Sequence, residues 1–145
     1  MSVLLQSWRF WAILSAVFAA MTAILAKVGV SGVPSDVATL VRTVVILLFA
    51  AAIVVATGQG AALGTISGRS LLFLILSGLA TGASWLCYFR ALSLGEAARV
   101  APIDKLSVVL VAILGASVLG ETLSAAAWAG VVLIAAGAAL VASGW

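Results

Sequence analysis

The sequence predicts an all-α integral membrane protein in which five helices cross the bilayer. Of its 145 residues, 66% are apolar and only 8% are charged, and the mean hydropathy is +1.38. Soluble domains are about 45–50% apolar and about 25% charged. Because so few charged side chains cannot cover the surface of a soluble protein of this size, the composition argues against a soluble enzyme.

Five apolar stretches, separated by clusters of Gly, Pro and Ser, give the number of predicted helices. A helix needs about 20 residues to cross the hydrocarbon core of a bilayer, which is about 30 Å thick. None of the stretches alternates with the period of two that barrel strands require. Together they predict one five-helix transmembrane domain over residues 1–145, without a separate soluble domain. The spans cover approximately residues 10–30, 37–56, 71–89, 100–119 and 125–142.

Turn and capping residues set the boundaries of these spans. The first stretch is too long for the core of a signal peptide, so we interpret it as a retained span. After it, Gly32-Val33-Pro34-Ser35 ends a helix, and Ser35 or Asp36 is expected to cap the next one. Pro102 is expected in the first turn of the fourth span, where its missing N–H costs little. Alternatively, Pro102 marks a break that frees carbonyl groups for a ligand.

The residue types that the chain lacks exclude several kinds of site. There is no His and no Asn, and the one Cys is Cys87. Zinc, haem and iron–sulfur sites need several His or Cys ligands, so we expect no metal and no cofactor. No Cys pair or Ser–Lys spacing offers a catalytic set, so the protein is not expected to be an enzyme. No run of Lys and Arg is present to bind nucleic acid.

Trp and Tyr side chains fall near the ends of the predicted spans. Such residues concentrate at the membrane interfaces, where an apolar ring and a polar N–H or O–H are both satisfied. At one membrane face they are Trp8, Trp11 and Trp128, and at the other Trp85, Tyr88 and Trp145. Trp85 and Tyr88 are three residues apart on one helical face. They are therefore also candidates for the wall of a substrate cavity.

Charged residues inside the predicted spans are the candidates for function. If Arg42 stayed outside the bilayer, the second span would shrink to 14 residues. Leaving Asp104 and Lys105 outside would shrink the fourth span equally. Fourteen residues rise about 21 Å, which is less than the hydrocarbon thickness. All three are therefore expected to enter the apolar layer, where charge costs at least about 2.5–3.5 kcal/mol unless it faces a bundle interior or a wet cavity.

Lys27 is less constrained, because the apolar residues before it are long enough to span alone. Lys27 and Arg42 also have long stems that can carry their charges to the headgroups, which Asp104 is too short to do. Glu121 is a candidate gating residue. Alternatively, it is a carboxylate that the helix dipole favours near the start of the fifth span. Since consecutive spans alternate in direction, one membrane face is expected to hold Lys27, Arg42, Asp104 and Lys105, and the opposite face Glu121.

Three motifs follow one another in the second half of the chain. They are ALSLGEA at 91–97, VAPIDKLS at 100–107 and LGE at 119–121. Together with Lys27-x-Gly29 and the position of Arg42, they resemble the EamA-like branch of the drug/metabolite transporter superfamily. Most members of that family have ten spans in two five-span repeats. The resemblance therefore implies that this chain corresponds to one repeat.

The resemblance implies a secondary active transporter for a small polar metabolite or a drug-like solute, coupled to protons or working as an exchanger, in the cytoplasmic membrane of a prokaryote. Five spans place the two termini on opposite sides of the membrane. A single repeat can therefore rebuild an inverted-repeat transporter by antiparallel pairing with a second copy or an oppositely inserted paralogue. Loop Lys and Arg number two on one side and three on the other, a weak orientation bias that suits insertion both ways.

A helical membrane subunit that scaffolds or regulates a larger complex, without transporting, is the alternative function. Charges within the apolar layer favour the transporter, because a purely structural bundle has little reason to bear their cost. Asp104 is the candidate for proton coupling. The candidate substrate-binding or gating residues are Lys27, Arg42, Trp85, Tyr88, Asp104, Lys105 and Glu121.

Overall fold

The structure, a computed structural model, describes residues 6–143. Over these residues it consists of helices joined by short turns and contains no strand, which confirms the predicted all-α fold class. The α-helices are α1 (Trp8–Gly29), α2 (Ser35–Ala56), α3 (Gly68–Leu94), α4 (Ala97–Asp104), α5 (Leu106–Val118) and α6 (Ala125–Ser143), and a 3-10 helix (Gln59–Thr65) lies between α2 and α3.

Five helical segments in the described chain are long and apolar enough to cross a membrane: α1, α2, α3, α4 together with α5, and α6. Their lengths are 22, 22, 27, 22 and 19 residues. At 1.5 Å per residue the shortest rises about 28 Å, close to the hydrocarbon thickness. α3 is longer than its predicted span at both ends, because hydropathy locates only the apolar part of a helix and not its polar first and last turns.

The outer faces of these helices carry large apolar side chains. On α2, Leu47 is 66% exposed and Phe49 is 68% exposed, and on α6 Leu133 and Leu140 are each 72% exposed. Exposing such a surface to water would cost about 25 cal/mol of free energy per Å² of apolar area. Lipid tails are as apolar as these side chains, so the surface suits a bilayer.

The chain divides into two compact units. Unit 2 is the continuous segment Leu25–Leu94, in which α2 packs against α3 and also contacts the 3-10 helix. Unit 1 combines the residues before this segment with the residues after it, and within it α6 packs against both α4 and α5. α1 belongs to both units, because its last turn begins unit 2.

The turn before α2 differs from the predicted cap. Gly32 adopts a positive φ of 77°, which a residue without a Cβ tolerates at low cost. Pro34 occupies the capping position, and no side chain caps the helix. Ser35 instead donates its hydroxyl to the Asp36 carboxylate over 3.3 Å. The expectation of a Ser35 or Asp36 cap is therefore wrong, although Asp36 still lies in the first turn, where the helix dipole favours a carboxylate.

The fourth span is broken near its beginning. α4 begins at Ala97, so Pro102 lies in the helix interior and not in the first turn as predicted. Proline has no N–H to donate, and its ring crowds the preceding turn. The helix ends two residues later, at Asp104, and resumes as α5 after Lys105. At this junction the N–H of Val108 donates to the carbonyl of Lys105 over 3.0 Å, which closes a tighter turn than an α-helix has.

Candidate functional site

Arg42 lies on α2 and extends across to α3. It is the eighth residue of α2, about 10 Å along the axis from the helix start. The guanidinium carbon lies 4.3 Å from the centre of the Trp85 ring and 5.3 Å from the centre of the Phe89 ring. Both distances are within the range of a cation–π interaction, and arginine stacks on aromatic faces more readily than lysine does. We call these three residues the Arg42 cluster.

One face of α3 supplies the rings of the Arg42 cluster. Trp85, Phe89 and Leu92 follow the spacing i, i+4 and i+7, which places them on the same side of a helix. Phe89 is 3% exposed and Leu92 is fully buried. Tyr88 is partly buried, and its ring packs edge-to-face with that of Phe89, with the centroids 6.4 Å apart. Of the two predicted cavity residues, Trp85 therefore contacts the cation directly, and Tyr88 contacts the neighbouring ring.

Lys27 reaches the same helix one turn further along. Its ammonium nitrogen donates a hydrogen bond to the backbone carbonyl of Leu92 over 2.7 Å. Leu92 belongs to the last turn of α3, where carbonyl groups have no helical N–H partner and cations are favoured. Two cations from different helices, Lys27 and Arg42, thus reach the segment of α3 from Trp85 to Leu92.

In unit 1, by contrast, a carboxylate and an amine that follow one another in the sequence are paired. Lys105 contacts the Asp104 carboxylate over 3.3 Å, and the two side chains are 55% and 34% exposed. This pair lies at the break between α4 and α5. A second pair joins Arg99 to Glu96 over 3.5 Å at the start of α4. The carboxylates of α4 and of the turn before it are thus each neutralised by a cation close by in the sequence.

Glu121 folds back over the end of α5. Gly120 has a φ of 70°, which turns the chain so that the N–H of Glu121 donates to the carbonyl of Gly115 over 3.0 Å. The carboxylate lies against Gly115, since a Cβ at Gly115 would stand 2.7 Å from Oε2. α6 begins only at Ala125, where Ser124 accepts a hydrogen bond from the third residue of the helix. Ser124, and not Glu121, therefore caps α6.

The seven predicted site residues thus divide between the units. Unit 2 brings together Arg42, Trp85 and Tyr88 and directs Lys27 to the same helix, whereas unit 1 pairs Asp104 with Lys105 and places Glu121 on Gly115. Sequence reasoning missed Phe89 and Leu92. The available signal was their spacing from Trp85, which continues the same helical face. Trp145, predicted to lie at the membrane interface, is outside the described residues.

The two units differ in the numbers of cationic and carboxylate side chains that they contain. Unit 2 contains Lys27, Arg42, Arg69 and Arg90 against the one carboxylate of Asp36. Unit 1 has three cations and three carboxylates. The two described ion pairs, Glu96–Arg99 and Asp104–Lys105, both lie in unit 1. The net positive charge of the chain therefore lies in unit 2.

Across residues 6–143, no group of three His, Cys, Asp or Glu side chains is placed to hold a metal ion.

Residues 6–143 match the EamA-like transporter family. A protein of Sinorhizobium sp. named "Uncharacterized transporter in cobO 3′ region" is 66% identical over 137 residues, which are 94% of this chain and 97% of the relative. That relative is therefore itself about as long as this chain. No solved structure matches significantly.

Proposed function

The chain belongs to the EamA-like transporter family and is a multi-pass membrane protein, and from this premise we propose that it is one protomer of a secondary active transporter. Its substrate is a small polar metabolite or a drug-like solute. The observation that supports this best is the Arg42 cluster. A cation two turns inside an apolar helix, turned toward a neighbouring helix within its own unit, is typical of a substrate pathway and has little use in a passive bundle.

Transport is tested by reconstituting the purified protein into liposomes loaded with an equimolar mixture of amino acids, organic acids, nucleosides and quaternary amines. Mass spectrometry of the external medium then gives the release of each solute. We expect saturable release of one chemical class, faster than from protein-free liposomes. If every solute leaves both kinds of liposome at the same rate, the protein is a scaffolding or regulatory subunit instead.

We further propose that two copies assemble antiparallel. The five spans place the termini on opposite sides of the membrane, and the Sinorhizobium relative has the same single-repeat length. Pairing one copy with an inverted copy, or with an oppositely inserted paralogue, creates the arrangement that transporters with inverted repeats have within one chain. The bacterial source of the relative supports a location in the cytoplasmic membrane of a prokaryote.

Dual insertion is tested with two single-cysteine variants, Gln59→Cys and Glu96→Cys, both in a Cys87→Ser background. The two positions lie beyond opposite ends of α3. An impermeant thiol reagent added to intact cells should label a fraction of each variant. If one variant is labelled fully and the other not at all, the chain has a single orientation, and only the pairing with an inverted paralogue survives.

Asp104 is the proposed site of proton coupling. It is the eighth residue of the fourth span, and its carboxylate is 34% exposed beside Lys105. Asp104→Asn keeps the size of the side chain and abolishes its titration. We expect the variant to lose uptake driven by a pH gradient while it still exchanges solute between two compartments at equal pH. Full retention of pH-driven uptake would assign coupling to another group.

Glu121 is proposed to contribute to a gate at each membrane face of the dimer. Inverting the second copy brings its Glu121 to the face where the first copy carries Arg42. We expect Glu121→Lys and Arg42→Glu each to impair flux, and the double variant to recover part of it. Strictly additive losses would leave Glu121 with no role beyond its contact with Gly115.

A further inference from the structure

We infer that the Arg42 cluster recognises a carboxylate, so that the solute is a small organic acid whose anionic group faces Arg42. The inference rests on the proposed transport function, since it names the substrate class of the same site. The cluster is built from α2 and α3 within unit 2, and its three members are Arg42, Trp85 and Phe89.

The geometry of the guanidinium is the first argument. An aromatic ring attracts a guanidinium through its charge and accepts no conventional hydrogen bond from it, so the five N–H donors stay available for other partners. Two of them form a fork that matches the two oxygens of a carboxylate. The contacts with the Trp85 and Phe89 rings thus hold the cation beside α3 without occupying its donors. A lysine in the same place would offer a point charge and no fork.

The second argument is that the one carboxylate of unit 2 does not pair with Arg42. Asp36 is the one acidic side chain between residues 25 and 94, and it forms no ion pair with Arg42. It lies at the start of α2 and accepts a hydrogen bond from Ser35. Arg42 is only partly buried, so part of its surface is left for a ligand. An ionised group inside an apolar span is stabilised by an opposite charge, and the one carboxylate of unit 2 does not provide it for Arg42.

The third argument is the electrostatic field along α3. Lys27 binds the carbonyl of Leu92, three residues from Phe89, so a second cation lies close to the Arg42 cluster along the helix axis. Low-dielectric walls focus the field of these cations and raise the local concentration of anions. A cationic solute would be repelled by the same arrangement.

The experiment measures equilibrium binding of radiolabelled benzoate and of its neutral isostere benzamide to the protein in dodecyl maltoside, a detergent without phosphate. Benzoate should bind saturably, and benzamide at least tenfold more weakly. Arg42→Gln should weaken benzoate binding at least tenfold, and Arg42→Lys should give an intermediate loss because it keeps the charge without the fork. Arg69→Gln, a matched loss of a cation in the same unit, should leave binding unchanged. Equal binding of benzoate and benzamide to the wild-type protein would overturn the inference.

A footprint on the wild-type protein avoids any dependence on the folding of a variant. Phenylglyoxal modifies arginine side chains, and peptide mass spectrometry reports each site. Benzoate should slow the modification of Arg42 at least threefold and leave that of Arg69 and Arg90 unchanged. Uniform rates with and without benzoate would place the anion elsewhere and overturn the inference.

A lipid headgroup is a second source of the same anionic chemistry, and a further arm separates it from a solute. If phosphatidylglycerol added to the micelles displaces benzoate in full at equimolar amounts, the site belongs to the lipid and the inference falls. If benzoate binding persists, the site takes a solute.

Release from the loaded liposomes separates the carboxylate site from the proposed transport function. Release of only nucleosides or quaternary amines, which carry no carboxylate, refutes the carboxylate site and leaves transport standing, whereas Arg42-dependent benzoate binding without release of any solute refutes transport alone.

Discussion

The two units of the molecule treat a charge in an apolar span in different ways. Each contains a 22-residue segment with a charged side chain at its eighth position, Arg42 in Ser35–Ala56 and Asp104 in Ala97–Val118. In unit 1 the charge is paired with the next residue in the sequence, Lys105. In unit 2 it lies on two aromatic rings.

This difference separates a charge that is neutralised from one that is only positioned. An ion pair between consecutive residues cancels most of the field of both partners at a distance. Stacking on rings leaves a full positive charge, because a ring quadrupole carries no net charge. Unit 2 is thus suited to attract an anion. Unit 1 carries a carboxylate that is paired with a neighbouring cation, and this is the group proposed above for proton coupling.

The largest expected effect tests whether α3 is held by packing beneath the Arg42 cluster. Leu92 is fully buried, so Leu92→Ala should lower the free energy of unfolding by about 2–4 kcal/mol, through lost contacts and a residual cavity. Leu74, on the same helix, is 61% exposed, and Leu74→Ala should cost less than about 1 kcal/mol. Unfolding by SDS in mixed micelles measures both. Equal losses would mean that unit 2 has no packed centre at Leu92.

The next effect concerns the ion pair of unit 1. Asp104→Asn leaves Lys105 without its partner, and Lys105→Gln leaves Asp104 without its own, so each should cost about 1–3 kcal/mol. The double variant removes both charges and should cost less than the sum of the two single changes. The same titration with SDS gives the three values. Additive losses would show that the two side chains do not stabilise each other, and unit 1 would then resemble unit 2.

A smaller effect measures the stacking in unit 2. The double-mutant cycle of Arg42→Gln and Trp85→Leu should give a coupling energy of about 1 kcal/mol, because the cation and the ring are partly buried together. Unit 1 offers a control pair, since Arg9 lies 5.4 Å from the centre of the Trp8 ring, which belongs to a side chain that is 73% exposed. The cycle of Arg9→Gln and Trp8→Leu should give about half as much or less. A reversed order would show that Arg42 gains nothing from its rings.

The helices were predictable because a run of about 20 apolar residues can be read directly from the sequence. Hydropathy was less informative about helix ends. α3 continues through Arg90 to Leu94, and α4 begins three residues before the predicted start of its span, because polar residues extend a helix beyond its apolar part. Pro102 was misplaced for the same reason. An early helix start at Ala97 converts a first-turn proline into an interior one, with a helix break as the consequence.

The charged residues of the site were predictable because a charge in an apolar span is visible in the sequence. Their contacts were not. Which face of α3 meets α2 is decided by packing between helices, so Phe89 could not be told from the many other apolar residues of α3 by type alone. The stacking of Arg42 follows from that packing. The backbone hydrogen bond of Lys27 to Leu92 also joins residues 65 positions apart, which no local pattern encodes.

The smallest effect tests the contact between Glu121 and Gly115 in unit 1. Replacing glycine by alanine inside a helix usually stabilises it by about 0.5–1 kcal/mol. Gly130→Ala should show this gain, because a Cβ there meets nothing within 4 Å. At Gly115 the new Cβ would stand 2.7 Å from the Glu121 carboxylate, which must swing away. Gly115→Ala should therefore gain less than Gly130→Ala, by a few tenths of a kcal/mol in the same SDS titration. Since the displaced group is the end of a flexible side chain, the fold should persist.

In a Glu121→Ala background the two glycine substitutions should raise the free energy of unfolding by equal amounts. A difference that survives there would mean that the backbone of α5, and not Glu121, limits what position 115 accepts.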